Sequence, residues 1–268
     1  MHGLAIDAKG RLLAGSVVGY SMWEVDRQTG AAKVMIPAPE GHADDIAVGP
    51  NGELDWTNYL MGMLRYRAND SAPLQVLAKD LPGLNSVDFD RKNGKLYASQ
   101  VFLGDALWEI DVAGVEPPRL IVKDMGGLNG FEVGPDGMIY GPLWFKGQVV
   151  KIDPANGAIT VINSEFKVPA AANLDGKGNL WVVDTRTGEL SKVELASGRK
   201  TVVKQLKTAL DNLAIAPDGT IYVSNMAHNS IEAYSPAAGK LTRIDLDTGA
   251  KTEIANGLAM PEGVAQTP

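Results

Sequence analysis

The chain contains no cysteine, which excludes a disulfide framework and any thiolate metal centre. It has three histidines and a net charge of −7 with no basic stripe, a balance that argues against nucleic acid as the main partner. No apolar run approaches membrane-spanning length, and Met1 opens directly onto structured sequence without a leader. A soluble chain, cytoplasmic or exported and already processed, is therefore expected, with no membrane partner. No stretch of useful length carries amphipathic helical periodicity, so helical solenoids are set aside. Also missing are a Gly-x-Ser-x-Gly elbow, a phosphate-binding glycine loop, a dinucleotide fingerprint and a His-Glu-x-x-His zinc motif.

What is present is a repeat. The stretch Leu128 to Tyr140 reads as a short apolar strand, a Pro-Asp-Gly turn and a second strand. The pattern recurs at Leu4-Ala5-Ile6, Ile46-Ala47-Val48, Val87-Asp88-Phe89, Ala172-Asn173-Leu174 and Leu213-Ala214-Ile215, each followed by a glycine turn. Positions just ahead of these strands fall at 2, 44, 85, 129, 170 and 211, in steps of 42, 41, 44, 41 and 41 residues. Further strands such as Trp23 to Asp26 and Val34 to Ile36 complete each unit. A fixed period of this length with four short strands per unit predicts an all-β fold: a six-bladed β-propeller of four-stranded antiparallel blades.

The whole chain, 1–268, reads as a single domain. Residues 246–268 add a turn, a strand at Thr252-Glu253-Ile254 and the opening of an unfinished seventh unit at Glu262, 51 residues after Asp211. This segment is expected to close the ring. A seven-bladed ring, or a fragment of a longer propeller, is the alternative.

Blade geometry locates the chemistry. The first strand of a blade runs along the channel and the second returns beside it, so the start of one and the end of the other share a face. The leading positions are His2, Asp44, Asn85, Asn129, Ala170, Asp211 and Glu262. Six of the seven are Asp, Glu, Asn or His, types that make up fewer than one residue in five of this chain, so that only about one of the seven is expected by chance. The second strands end at Ser16, Asn58, Gln100, Leu143, Asp184 and Asn225, again mostly polar. Two polar rings at one mouth suit a hard divalent cation, Ca²⁺ ahead of Mg²⁺, Mn²⁺ or Zn²⁺. Such an ion polarises a carbonyl and acidifies water. Asp44 or Asp211 is the expected base, and Asn85, Asn58, Gln100, Asp184, Asn225, Trp144 and Lys146 are expected to contact a small-molecule substrate. His2, beside the chain end, is expected to be frayed, and His42 and His228, in loops, to be solvated.

These residues resemble the SMP-30/gluconolactonase/LRE family of NHL-like β-propellers, along essentially the full chain at the level of repeats. The resemblance rests on Pro261-Glu262-Gly263, Leu128-Asn129-Gly130 and Leu210-Asp211-Asn212. It implies one divalent cation held by Glu262, Asn129 and Asp211, and hydrolysis of a lactone or ester. A non-enzymatic binding propeller and a metal-assisted lyase are the competing classes.

Overall fold

A computed structural model describes residues 1–255. Six antiparallel sheets follow one another along the chain, with no helix among the described residues. Their innermost strands are Leu4–Ile6, Ile46–Val48, Leu84–Phe89, Glu132–Val133, Pro169–Leu174 and Leu210–Ile215. Each of these touches the next and the last touches the first, so the sheets are the blades of a six-bladed β-propeller around a central channel.

The hydrophobic core is distributed between the blades. Alternate residues of each pleated strand face the neighbouring blade, which gives separate clusters at successive interfaces. Leu4, Leu12 and Val25 of blade one meet Ala214, Tyr222, Ile231 and Ile244 of blade six in one such cluster. Among the described residues every blade is contiguous in sequence, and this packing joins the first blade to the last. Arg27 supplements it, donating from Nε to the Tyr222 hydroxyl at 2.8 Å and pairing with Asp218 at 2.7 Å. The strand expected around Thr252 forms as Lys251–Ala255, and it adds a fifth strand to the outer edge of blade six. From there Lys251 Nζ donates to the carbonyls of Arg27 and Gln28. The expected seventh-unit opening, with Glu262, lies outside the described residues.

One buried position breaks the repeat. Register places Leu13, Asp55, Tyr97, Tyr140, Trp181 and Tyr222 at equivalent points of the second strands. Five are large and apolar or aromatic, whereas Asp55 is fully buried with neither carboxylate oxygen hydrogen-bonded. Desolvation, and then the charge of Glu53, push its carboxyl well above the usual range. The folded chain thus keeps this proton to higher pH than the unfolded chain, and Asp55 costs stability progressively as pH rises above about 4. Asp55→Leu is expected to raise the melting temperature at pH 8, with the gain shrinking towards pH 4 when melting is followed across that range. A gain independent of pH would mean that packing, not the charge, sets the cost.

Candidate functional site

The residues leading into the inner strands converge at one end of the channel. His2, Asp44, Asn85, Asn129 and Asp211 line a cavity of about 270 Å³, with Val17, Tyr59, Phe102, Trp144 and Met226 forming its walls. Local backbone irregularity helps to aim them. The inner-strand pairing slips at Asn85, Ala170 and Asp211, where blades three, five and six each carry a bulge, a device that re-aims side chains at sheet ends.

Three of these groups stand close together. One ligand atom from each of His2, Asp44 and Asp211 lies within 4.8 Å of the other two. Two ligands on opposite sides of a single cation sit roughly 4 to 5 Å apart, so the spacing fits one ion. The electrostatics point the same way. Burial raises the Asp44 carboxyl well above its usual range, and the charges of Asp211 and Asp45 raise it further, against a hydrogen bond from the Asn85 amide. Burial pushes Asp211 up to about 7, opposed by the amino-terminal charge. Carboxylates that disfavour their own ionisation are relieved by a cation or a shared proton.

His2 is held in place, contrary to the expected fraying. It is half-buried, and its Nδ1 accepts from the Val17 N–H at 3.3 Å. Burial, followed by the amino-terminal charge and His42, lowers its pKa to about 3, so the imidazole is neutral and able to ligate. The Val17 contact selects the Nε2–H tautomer, and holding an ion on this ring costs that contact. The expectation that His42 is solvated is overturned: it is completely buried, edge-on to Tyr20 with ring centroids 5.0 Å apart. His228 is exposed.

Asn85 and Asn129 are oriented by Ser86. Its hydroxyl donates to Asn85 Oδ1 at 2.8 Å and approaches Asn129 Oδ1 at 3.4 Å, where the Gly130 N–H also donates at 3.0 Å. The Asn129 oxygen is thereby occupied and its amide NH₂ is left to face the cavity. Gly130 permits this arrangement, because a Cβ there would lie 2.3 Å from that of Ala171.

The second-strand ends are placed differently. Asn58, Gln100, Asp184 and Asn225 are buried, and each is held by hydrogen bonds to neighbouring groups. Asp184 accepts from the backbone N–H groups of Lys167, Val168, Arg186 and Thr187. Asn225 accepts from those of Ala227 and His228 and donates to the Thr208 carbonyl. Gln100 bridges the Pro82 carbonyl and the Trp108 indole N–H, and Asn58 accepts from the Met61 N–H. None of the four lines the cavity, nor does Lys146, which is exposed; Trp144 forms part of its wall.

Below the mouth lies a second polar layer that the sequence reading missed. Asp45, Asp88 and Glu132 line a cavity of about 160 Å³ inside the channel, together with Arg91, Asn173 and Asn212. Each carboxylate ties its inner strand to the next blade: Asp45 accepts from the Val87 N–H at 3.1 Å, Asp88 from Val133 at 2.7 Å and Glu132 from Leu174 at 2.6 Å. Burial pushes them up to about 7, 6 and 7 respectively. A signal was available, since residues one and three places after the leading positions share a strand face and point into the channel.

No protein-family profile matches the chain, and no curated protein matches it in sequence. Solved structures match it across most of its length. A chain of a nidogen/laminin complex superposes with a TM-score of 0.75 at 15% identity, covering 91% of this chain and 92% of that one. A gluconolactonase from Xanthomonas campestris gives 0.70 at 14% identity, covering 84% and 82%. Virginiamycin B lyase from Staphylococcus aureus gives 0.69 at 12% identity, covering 90% and 83%. At these identities the likeness concerns the fold alone, which a chain of a nidogen/laminin complex, a gluconolactonase and a lyase share.

Proposed function

We propose that this chain is a divalent-metal-assisted hydrolase of a small lactone or ester. The observation that carries the reading is the convergence of His2, Asp44 and Asp211 in the lining of a cavity at the channel mouth. An ion held by these three would polarise the substrate carbonyl and acidify water. The donor set mixes an imidazole nitrogen with carboxylate oxygens, which suits Mn²⁺ or Zn²⁺ as well as Ca²⁺ or Mg²⁺.

The chain's own groups supply the rest. Asp211 takes a proton from the attacking water and returns it to the alkoxide released when the ring or ester opens, so that one water is consumed and a hydroxy acid or an acid and alcohol result. Asn85 holds Asp44 in place through its amide. The free NH₂ of Asn129 is a donor for the oxygen on which negative charge develops. A lyase reading is favoured by one feature, the neutral imidazole of His2 beside the carboxylates, and it predicts an unsaturated product formed without uptake of water.

A panel of lactones and esters assayed on chelator-treated protein with Ca²⁺, Mn²⁺, Mg²⁺ and Zn²⁺ tests the proposal. Hydrolysis restored by at least one ion is expected. Turnover indifferent to chelation, no turnover with any ion, or an unsaturated product would contradict it.

A further inference from the structure

We infer that the substrate carries an alkyl chain or aromatic group, and that Phe102 is the residue selecting it, in preference to a polyhydroxylated lactone. The inference rests on the hydrolase reading for its chemistry but on separate observations for its specificity.

The first observation is what the mouth lacks. A polyol needs several side-chain donors and acceptors, since a site that leaves hydroxyls unpaired loses affinity for them. Asn58, Gln100, Asp184 and Asn225 stand where such groups would be wanted, yet Gln100, Asp184, Asn225 and the Asn58 Oδ1 are engaged by neighbouring backbone and side-chain groups. Apart from the Tyr59 hydroxyl and the Trp144 indole N–H, the polar side chains that line the cavity are His2, Asp44, Asn85, Asn129 and Asp211, with His2, Asp44 and Asp211 clustered within 4.8 Å of one another.

The second is what the walls are made of. Phe102 packs edge-on to Tyr59, Trp144 and Phe145, with ring centroids 6.4, 5.3 and 5.5 Å away. This aromatic row climbs from the cavity to the rim over blades two to four, where Phe102 is 47% and Phe145 60% exposed. Leu60, Met61 and Leu103 extend the apolar surface. Blades five and six present Arg186, Thr187 and His228 on the opposite side. The mouth therefore has an apolar half contiguous with the reacting centre, as a substrate with one apolar substituent requires.

The third is the backbone of Phe102. Its φ is +67°, and the Leu103 N–H bonds back to the Val101 carbonyl at 2.8 Å. That is a γ-turn of the rare, strained hand, in a bulky residue that avoids this region. Gly83 makes room for it, since a Cβ there would lie 2.5 Å from the Val101 oxygen. Its counterparts two places beyond the second strands are Val18, Leu60, Phe145, Arg186 and Ala227, and of these six residues Phe102 alone lines the cavity. Strain kept at a ligand-facing residue is a mark of function.

The test has two readouts. Hydrolysis is measured on γ-lactones with alkyl substituents from methyl to heptyl and on glucono-δ-lactone. Binding of the matching γ-lactams, which resist hydrolysis, is followed by tryptophan fluorescence, with Trp144→Phe locating the signal. Both the lactam dissociation constants and the lactone KM are expected to fall roughly three- to fourfold per methylene over the first several carbons. Phe102→Asn, whose side chain tolerates the left-handed backbone, should flatten that dependence, and Phe102→Tyr should restore it. Preference for glucono-δ-lactone, or a chain-length dependence that survives Phe102→Asn, overturns the inference. Lactams that bind with the expected slope while no lactone is hydrolysed would sink the hydrolase reading alone; hydrolysis without the slope would sink this one alone.

Discussion

Asp211→Asn is expected to lower hydrolysis by at least ~10²–10⁴-fold, the usual contribution of a positioned acid–base group, while making the fold more stable. The two effects share one cause. Burial holds the Asp211 carboxyl at about 7, whereas an unfolded chain releases that proton near pH 4. Between those values the folded state binds more protons than the unfolded state, so stability falls as pH rises through the window. The amide removes this cost and also the ionisable group. In chelator-treated protein without added cation, the melting temperature of the variant should therefore exceed that of the parent at pH 8 and approach it at pH 4. Asp44→Asn should behave in the same direction, because burial and the charge of Asp211 raise Asp44 as well. A variant that is both less stable and fully active would show that the carboxylate is a structural cap.

Addition of a binding cation should raise the melting temperature of the parent by roughly 5–10 °C at a hundredfold excess over its dissociation constant. That range follows from about 2.7 kcal/mol of linkage and ~2–4 °C per kcal/mol for a chain of this size. The shift should depend on pH, since the ion competes with protons for Asp44 and Asp211. It is expected in full above about pH 7, the value to which Asp211 is pushed, and to fade below it. Chelator treatment should reverse it. Equal shifts at pH 5 and pH 8 would place the ion elsewhere on the acidic surface.

The fold was legible because the repeat is written in the chain itself: strand, glycine turn and strand return at nearly constant spacing, and only a ring of sheets satisfies that pattern. The leading positions were legible for the same reason, since Asp44, Asn85, Asn129 and Asp211 occupy one register and register fixes direction. The second-strand ends misled because residue type does not reveal the partner. Asp184 looks like a ligand in sequence, yet four backbone N–H groups claim it, as happens where an acidic side chain begins a tight loop. His2 was undervalued because nearness to a chain end says nothing about packing; here Met1 is buried between blades one and six and carries His2 with it. Phe102 was invisible, because its position in the wall depends on a backbone angle that the sequence does not announce.

Calorimetric titration of Ca²⁺, Mg²⁺, Mn²⁺ and Zn²⁺ into the chelator-treated chain tests the central claim most directly, with the parent beside His2→Ala and Asp211→Asn at pH 8. Convergence of His2, Asp44 and Asp211 on one ion predicts a single site per chain for at least one of the four cations, weakened severely in both variants. No binding by the parent, or isotherms for the two variants indistinguishable from its own, would contradict it.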